Sequence, residues 1–367
     1  MTTPSTVPLT ITNDSGQPDS SVYLAIIGLD ANNLWAFVNA DGSTTEFSLT
    51  NASDAVLSLT SLTNNQLTLP QLVSGQIYFS VGSTLTIATV SDPKQPGGVG
   101  LQLPAGWDTG NPNYDVMYDV IEFTFDGAGL NCDLTQVDAF GLPISMQVTG
   151  SQNGTQSAGG WNQSRSQIFA TFLADSTYAP LVLTDGATQL RIVNPSHGID
   201  LGLFSSTFFD TVIQNAWNQY TSASPLEINI AGGSYAGNYL GTTSGANTPM
   251  IITLGGTTVG QIDYPTTSQV FYCNGVFDQG NTAMGAVANV VATAINRGIL
   301  ATSPQPDCTV GDFYPANGTW NGYAQLLHTL ANDGLCYAFA YDDQCNQSSD
   351  LSESGPTGWS ITIASLS

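Results

Sequence analysis

Short runs in which apolar and polar residues alternate fill the chain from Val7 to about Leu183. Examples are Val22-Tyr23-Leu24-Ala25-Ile26, Leu34-Trp35-Ala36-Phe37-Val38 and Gln76-Ile77-Tyr78-Phe79-Ser80, with Gly, Asn, Asp and Pro between the runs. A period of two bounded by turn residues predicts antiparallel strands of a barrel or sandwich. The Gly- and Pro-rich stretch from Pro93 to Pro112 predicts a long loop that edges a binding groove. From about Asp200 the period changes. The segments Leu203 to Tyr220 and Ala283 to Leu300 space their apolar residues for helices, with Gly298 as a stop signal. Between them, Glu227 to Ile230, Met250 to Leu254 and Val270 to Cys273 read as short strands. A third helix is expected around Tyr323 to Ala331, and strand character returns at Tyr337 to Tyr341. The expected organisation is a β domain over 1–190, a mixed α/β domain over 191–333, and C-terminal strands over 334–367 that rejoin the first domain.

Within the β region, the stretch Tyr114 to Met146, YDVMYDVIEFTFDGAGLNCDLTQVDAFGLPISM, carries Glu122 and Asp138 on what read as the two arms of a hairpin. Only four glutamates occur in the chain. This one sits in the apolar run Val120-Ile121-Glu122-Phe123, where a charge is costly to bury without a purpose or a partner. If Asp126 to Leu134 is the loop, a register in which paired numbers sum to about 260 places Glu122 across from Asp138 on one face. Two carboxyls on a partly buried face repel when both ionise, so one keeps its proton and the pair becomes an acid and a base. Such a pair suits glycoside hydrolysis, inverting enzymes holding the two roughly 6.5–9.5 Å apart. The plainer alternative gives Asp138 a turn-capping role and Glu122 a backbone partner.

The run IEFTFDG followed by LTQVDAFGLPISM resembles the glycoside hydrolase family 64 β-1,3-glucanases of the laminaripentaose-producing type, relatives of the thaumatin-like proteins. The helix GNTAMGAVANVVATAINRGIL, ending in Asn296-Arg297, and the segment CYAFAYDDQC from Cys336 to Cys345 extend the resemblance over most of the chain. It implies a thaumatin-like β-barrel or sandwich domain with an inserted mixed α/β domain and an open groove between them. It also implies an inverting mechanism with Glu122 as general acid and Asp138 as general base, and a sugar contact for Thr124, two residues after the acid. Asp126 and Asn131 stand where the family has amide or aromatic sugar contacts. Asp126 is kept among the substrate residues, and the departure bears on subsite affinity and product length. Sugar rings stack on flat side chains, which adds Tyr114, Tyr118 and Trp161 as groove candidates, while Trp107 and Trp320 are expected in the core. The expected activity is endo-β-1,3-glucanase; the alternative is a thaumatin-like protein that grips β-1,3-glucan without cutting it. A structural surface protein would leave the carboxyl pair without a role.

Composition narrows the partners. Lys and Arg number 4 against 28 Asp and Glu, a net charge of −24. Nucleic acid and anionic membranes are thereby disfavoured, whereas a neutral glucan meets no repulsion. No stretch of 18 or more apolar residues suggests a membrane span. The first residues lack a basic and apolar leader, so a signal was removed, export is unconventional or the protein is intracellular; a secreted monomer is the expectation. Two carboxyls and a water complete the chemistry, so no cofactor is expected, and two histidines and five cysteines without metal-ligand spacing suggest no metal site. His197 reads as structural, and Asp342-Asp343 as a solvated turn. The expected disulfides are Cys336 with Cys345 and Cys273 with Cys308, leaving Cys132 reduced.

Overall fold

The computed structural model describes residues 3–161 and 163–367. Strand exceeds helix, 36% against 21%, so the protein is mainly β. It divides into two compact units. One comprises the chain through Val193 with His328–Tyr337 and Ser349–Ser367; the other comprises Asn194–Leu327 and Ala338–Ser348.

In the first unit two sheets share one core. The larger runs, in spatial order, Asp350–Glu353, Gly129–Leu134, Met117–Asp126, Leu72–Val81, Val22–Leu29, Trp35–Val38 and Thr44–Glu46, with Val56–Ser58 also pairing Val22–Leu29. The smaller runs Gly154–Gly159, Ile144–Gly150, Pro356–Ile363, Thr6–Asn13 and Gln66–Pro70. Alternation explains the packing. In Met117–Asp126, Ile121, Phe123 and Phe125 point into the core with Leu9, Ile26, Ile77 and Trp359, leaving Val120, Glu122 and Thr124 on the opposite face. That second face carries its own apolar cluster, including Ile27, Phe37, Tyr78 and Tyr118. At Gly75 the register partner is Phe123, whose ring lies where a Cβ would be, 2.4 Å from its nearest atom. Only glycine lets the ring cross there.

The second unit has an antiparallel sheet of Leu226–Ile230, Gly237–Thr242, Met250–Leu254 and Thr257–Ile262, with helices that include Asp210–Gln219 and Ala283–Asn296. Several expected elements differ. The helix begins at Asp210 rather than Leu203, because the Leu203 and Phe204 N–H groups turn back onto the Gly198 carbonyl; the helical spacing of Phe204 and Phe208 instead serves an aromatic cluster around Phe271. Val270 to Cys273 is not a strand. It lies in the helix Thr267–Tyr272, opened by a Thr266/Gln269 capping box and closed by Cys273 at φ 50°. Tyr337 makes one bridge to Thr135, and the expected strand stops there because Phe339 to Asp342 turns. Asp342 is a buried partner of Arg297 at 3.1 Å and not a solvated turn residue. His197, also buried, meets the Tyr272 hydroxyl at 3.1 Å, a packing role.

Cysteine pairing is also corrected: Cys308 bonds Cys345, while Cys132, Cys273 and Cys336 are buried thiols. Cys336 donates to Gln136 Oε1 and Cys273 to the Val270 carbonyl, so both sulfurs are already used in local packing. Peptide mapping without reductant should recover one cross-linked pair containing Cys308 and Cys345, with the other three alkylated only after denaturation. Replacing both bonded cysteines by serine should lower unfolding stability by about 2–4 kcal/mol in urea titration.

Candidate active site

Glu122 does not face Asp138. Its partner across the strand pair is Asp133, in a register where Phe123 meets Cys132 and Thr124 meets Asn131. The expected loop is instead a two-residue turn, Gly127-Ala128, whose Ala128 N–H donates to Asp126 Oδ1 at 2.7 Å. Gly129 continues the strand at φ 143°, where a Cβ would lie 2.5 Å from the Glu353 carbonyl oxygen. The following LNCDL then alternates: Leu130, Cys132 and Leu134 are in the core and Asn131 and Asp133 are outside it.

The same face of the next strands extends the row. Gln76 pairs with Glu122 on one side, and Asp350 pairs with Asp133 on the other, giving Gln76, Glu122, Asp133 and Asp350 in line across four strands. They line a cavity of about 480 Å³ with Thr124, Trp35 and Leu103. Gln76 donates to Glu122 Oε1 at 3.4 Å while its carbonyl accepts from the Tyr78 hydroxyl at 3.0 Å, which orients the amide. Burial is the main reason the Glu122 carboxyl is pushed above its usual range; the Gln76 amide opposes this and the nearby Asp138 charge reinforces it. Asp133 is pushed up to about 7 by burial, then by the charges of Glu122 and Asp350. Asp133 Oδ1 is buried without a hydrogen-bond partner.

Asp138 reaches Glu122 by another route. It lies exposed beyond the end of the Gly129–Leu134 strand, where the chain turns toward Ala139–Phe140, and its charge acts on Glu122, Tyr78 and Tyr118. The segment is held from behind. Asp119, fully buried, accepts the N–H groups of Gly141 and Leu142 at 2.8 and 2.9 Å, and Arg165 donates to the Gly141 carbonyl at 2.5 Å.

The other expected sugar contacts separate. Thr124 lines the cavity; Asp126 caps the hairpin turn. Tyr118 is buried, its hydroxyl accepting the Gly106 N–H at 2.7 Å and its ring lying 4.6 Å from the Arg191 guanidinium carbon. The Tyr114 carbonyl accepts from Arg191 at 3.0 Å. Trp161 packs edge-on against Phe140 and donates to the Ile144 carbonyl. Trp107 and Trp320 are half-buried rather than core. Sequence reading missed Gln76, Asp133 and Asp350. For Asp133 the signal was present in the LNCDL alternation; for Gln76 and Asp350, strand neighbours distant in sequence, none was. Among the described residues no group of His, Cys, Asp and Glu is arranged to hold a metal ion.

Several carboxyls around one cavity of a mainly β unit are the kind of groups that glycoside hydrolysis uses. The β-1,3-glucanase profile of glycoside hydrolase family 64 matches residues 5–363, and the chain belongs to that family. The glucan endo-1,3-beta-glucosidase of Cellulosimicrobium cellulans is 29% identical over 357 residues, covering 93% of this chain and 62% of that protein. The chain thus spans less than two thirds of this curated relative. A crystal structure of a laminaripentaose-producing beta-1,3-glucanase in complex with laminaritetraose superposes with TM-score 0.86 at 25% identity, covering 99% of this chain and 100% of that one. A beta-1,3-glucanase domain from Clostridium beijerinckii gives TM-score 0.86 at 22% identity, over 98% of each chain.

The Asp133 carboxyl has a consequence for stability. Its folded value, about 7, lies above the ordinary 3.8, so between these pH values the folded state binds more protons and stability from this group falls as pH rises. In urea titrations, Asp133→Asn should gain on the parent between about pH 4 and pH 8, by on the order of 1–3 kcal/mol, and match it more closely at the acid end.

Proposed function

We propose that this protein is an endo-β-1,3-glucanase that hydrolyses β-1,3-glucan to short oligosaccharides by inversion, with Glu122 as general acid and Asp138 as general base. The observation that carries the reading is Glu122: a carboxyl lifted above its usual range in a cavity, with the charge of exposed Asp138 acting on it. Glu122 gives its proton to the glycosidic oxygen as the bond to the anomeric carbon breaks. A water attacks that carbon from the opposite face and loses its proton to Asp138. Thr124, beside Glu122 in the cavity, offers a hydroxyl to the sugar, and Asp126 acts from the turn. Trp35 supplies an apolar wall of the kind sugar C–H faces pack on.

The substrate class is supported by family membership and by the laminaritetraose in the similar structure. The architecture within this reading is thaumatin-like, with a mixed α/β domain inserted over about 191–333. The protein acts as a secreted monomer, with β-1,3-glucan as partner and neither nucleic acid nor membrane. The acidic composition supports that choice, and among the described residues no helix is long and apolar enough to cross a membrane.

Glu122→Gln and Asp138→Asn should each lower release of oligosaccharides from laminarin by about 10²–10⁴-fold while the circular dichroism spectrum and laminari-oligosaccharide binding persist. Near-normal turnover in either variant would remove that residue from the mechanism. Binding without products in the parent would favour a glucan-binding protein.

A further inference from the structure

We propose that a second cavity, built by the segment 103–113, is a distal sugar-binding subsite entered from the Glu122 cavity across Leu103, with Trp35 as the stacking platform on the way. The inference rests on the glucanase reading and extends its site along the substrate chain. The second cavity has a volume of about 340 Å³, and its walls include Thr86, Ala88, Gln102, Asp108 and Pro112. Leu103 lines it and also lines the Glu122 cavity, so the two hollows adjoin at that side chain. Both lie wholly within the first compact unit. Sheet order gives the direction of travel. Trp35 stands on the third strand from the one that carries Glu122, beyond Leu72–Val81 and Val22–Leu29. At the usual strand spacing that is about 14 Å across the sheet, farther than one sugar ring spans. Trp35 and Leu103 both pack on the apolar cluster of Phe37, Tyr78 and Tyr118, which fixes them while they face the cavity.

The second cavity is held in shape before any ligand arrives. Buried Asn113 accepts the Thr86 N–H at 2.7 Å and donates to the Thr86 carbonyl at 2.8 Å, tying one wall to the other. Asn111 donates to the Leu103 carbonyl at 3.3 Å and accepts the Asn113 N–H at 2.9 Å. Farther back, Tyr118 takes the Gly106 N–H, and Arg191 donates to the Tyr114 and Val116 carbonyls. A wall fixed in this way costs a ligand little ordering. Its chemistry suits a neutral sugar. The Thr86 hydroxyl and the Gln102 amide are exposed in the wall, and Asp108 commits one oxygen to the Gly110 N–H at 2.8 Å while the other can accept from a sugar hydroxyl. Ala88 and Pro112 add apolar surface for ring C–H faces. Neither cavity has lysine or arginine among its described lining residues, which disfavours an anionic ligand.

The test is steady-state hydrolysis of laminaritriose through laminariheptaose by the parent, Trp35→Ala, the cavity-filling Ala88→Trp and the milder Gln102→Ala. Calorimetric binding of the triose and the heptaose is measured beside it, with each substitution placed on a Glu122→Gln background. In the parent, kcat/KM should climb with chain length, because contacts remote from the bond being cut strengthen the transition state. Ala88→Trp should lower kcat/KM about tenfold on the heptaose and leave the triose within about twofold, and Gln102→Ala should move the same way by a smaller factor. Trp35→Ala should cost about tenfold on every oligosaccharide long enough to reach it. The heptaose Kd should rise by matching factors while the triose Kd holds. Equal losses on short and long substrates, or heptaose values untouched by Ala88→Trp and Gln102→Ala, overturn the subsite; should Ala88→Trp fail to fold, Gln102→Ala decides. The binding arm needs no turnover: a parent inactive on every glucan would overturn the glucanase reading, while the subsite would stand or fall on the ratio of heptaose to triose binding.

Discussion

The site depends on one glycine peptide. Gly141 gives its N–H to Asp119, from the strand that also carries Glu122, and its carbonyl to Arg165, from the helix Arg165–Ala174. The approach is so close that a Cβ on Gly141 would lie 1.9 Å from the Tyr118 carbonyl oxygen. Asp138 stands three residues earlier on the same segment, so this clamp sets where the segment can run beside the Glu122 strand. Its energetics are two-sided. Burial pushes Asp119 up to about 6, and the N–H groups of Leu142, Gly141 and Val120 oppose the rise, so satisfied hydrogen bonds offset much of what desolvation costs.

One sheet supplies both a packing surface and a cavity wall by changing character along a single face. At the Tyr118 end of the Met117–Asp126 strand the outward residues join Tyr78 and Phe37 in an apolar cluster; two positions beyond Val120, the same face presents Glu122 and then Thr124 to a cavity. The reverse face stays apolar throughout, through Ile121, Phe123 and Phe125. The core therefore pins the strand, and the carboxyl inherits its direction from the residues on either side of it. A burial-raised carboxyl follows from placement in the sheet.

Much of this was legible in the chain. Period-two runs marked the strands Val22–Leu29, Trp35–Val38 and Leu72–Val81, and the Met250–Leu254 strand has the expected bounds. The family motif directed attention to Glu122 and Asp138 together. What failed was local in some places and non-local in others. LNCDL is a short alternating strand that looked like loop because Asn and Asp occupy its outward positions, and that error displaced the register by five residues. The Thr266/Gln269 capping box was a readable helix start, overlooked beside the β-prone Val270-Phe271-Tyr272. The approach of Asp138 from beyond the strand end, and the alignment of Gln76 and Asp350 with Glu122, depend on pairings between distant segments that no local pattern encodes. Tyr118 and Trp161 fit a sugar platform by type, but their polar atoms are already bound to Gly106 and Ile144.

The three arginines lie in the interior, 5%, 1% and 1% exposed for Arg165, Arg191 and Arg297, each held by backbone carbonyls. To a protease that cuts after basic residues, the folded chain therefore presents a single accessible bond, that between Lys94 and Gln95. The charges that fasten the interior are also the cleavage sites that only an opened chain would reveal.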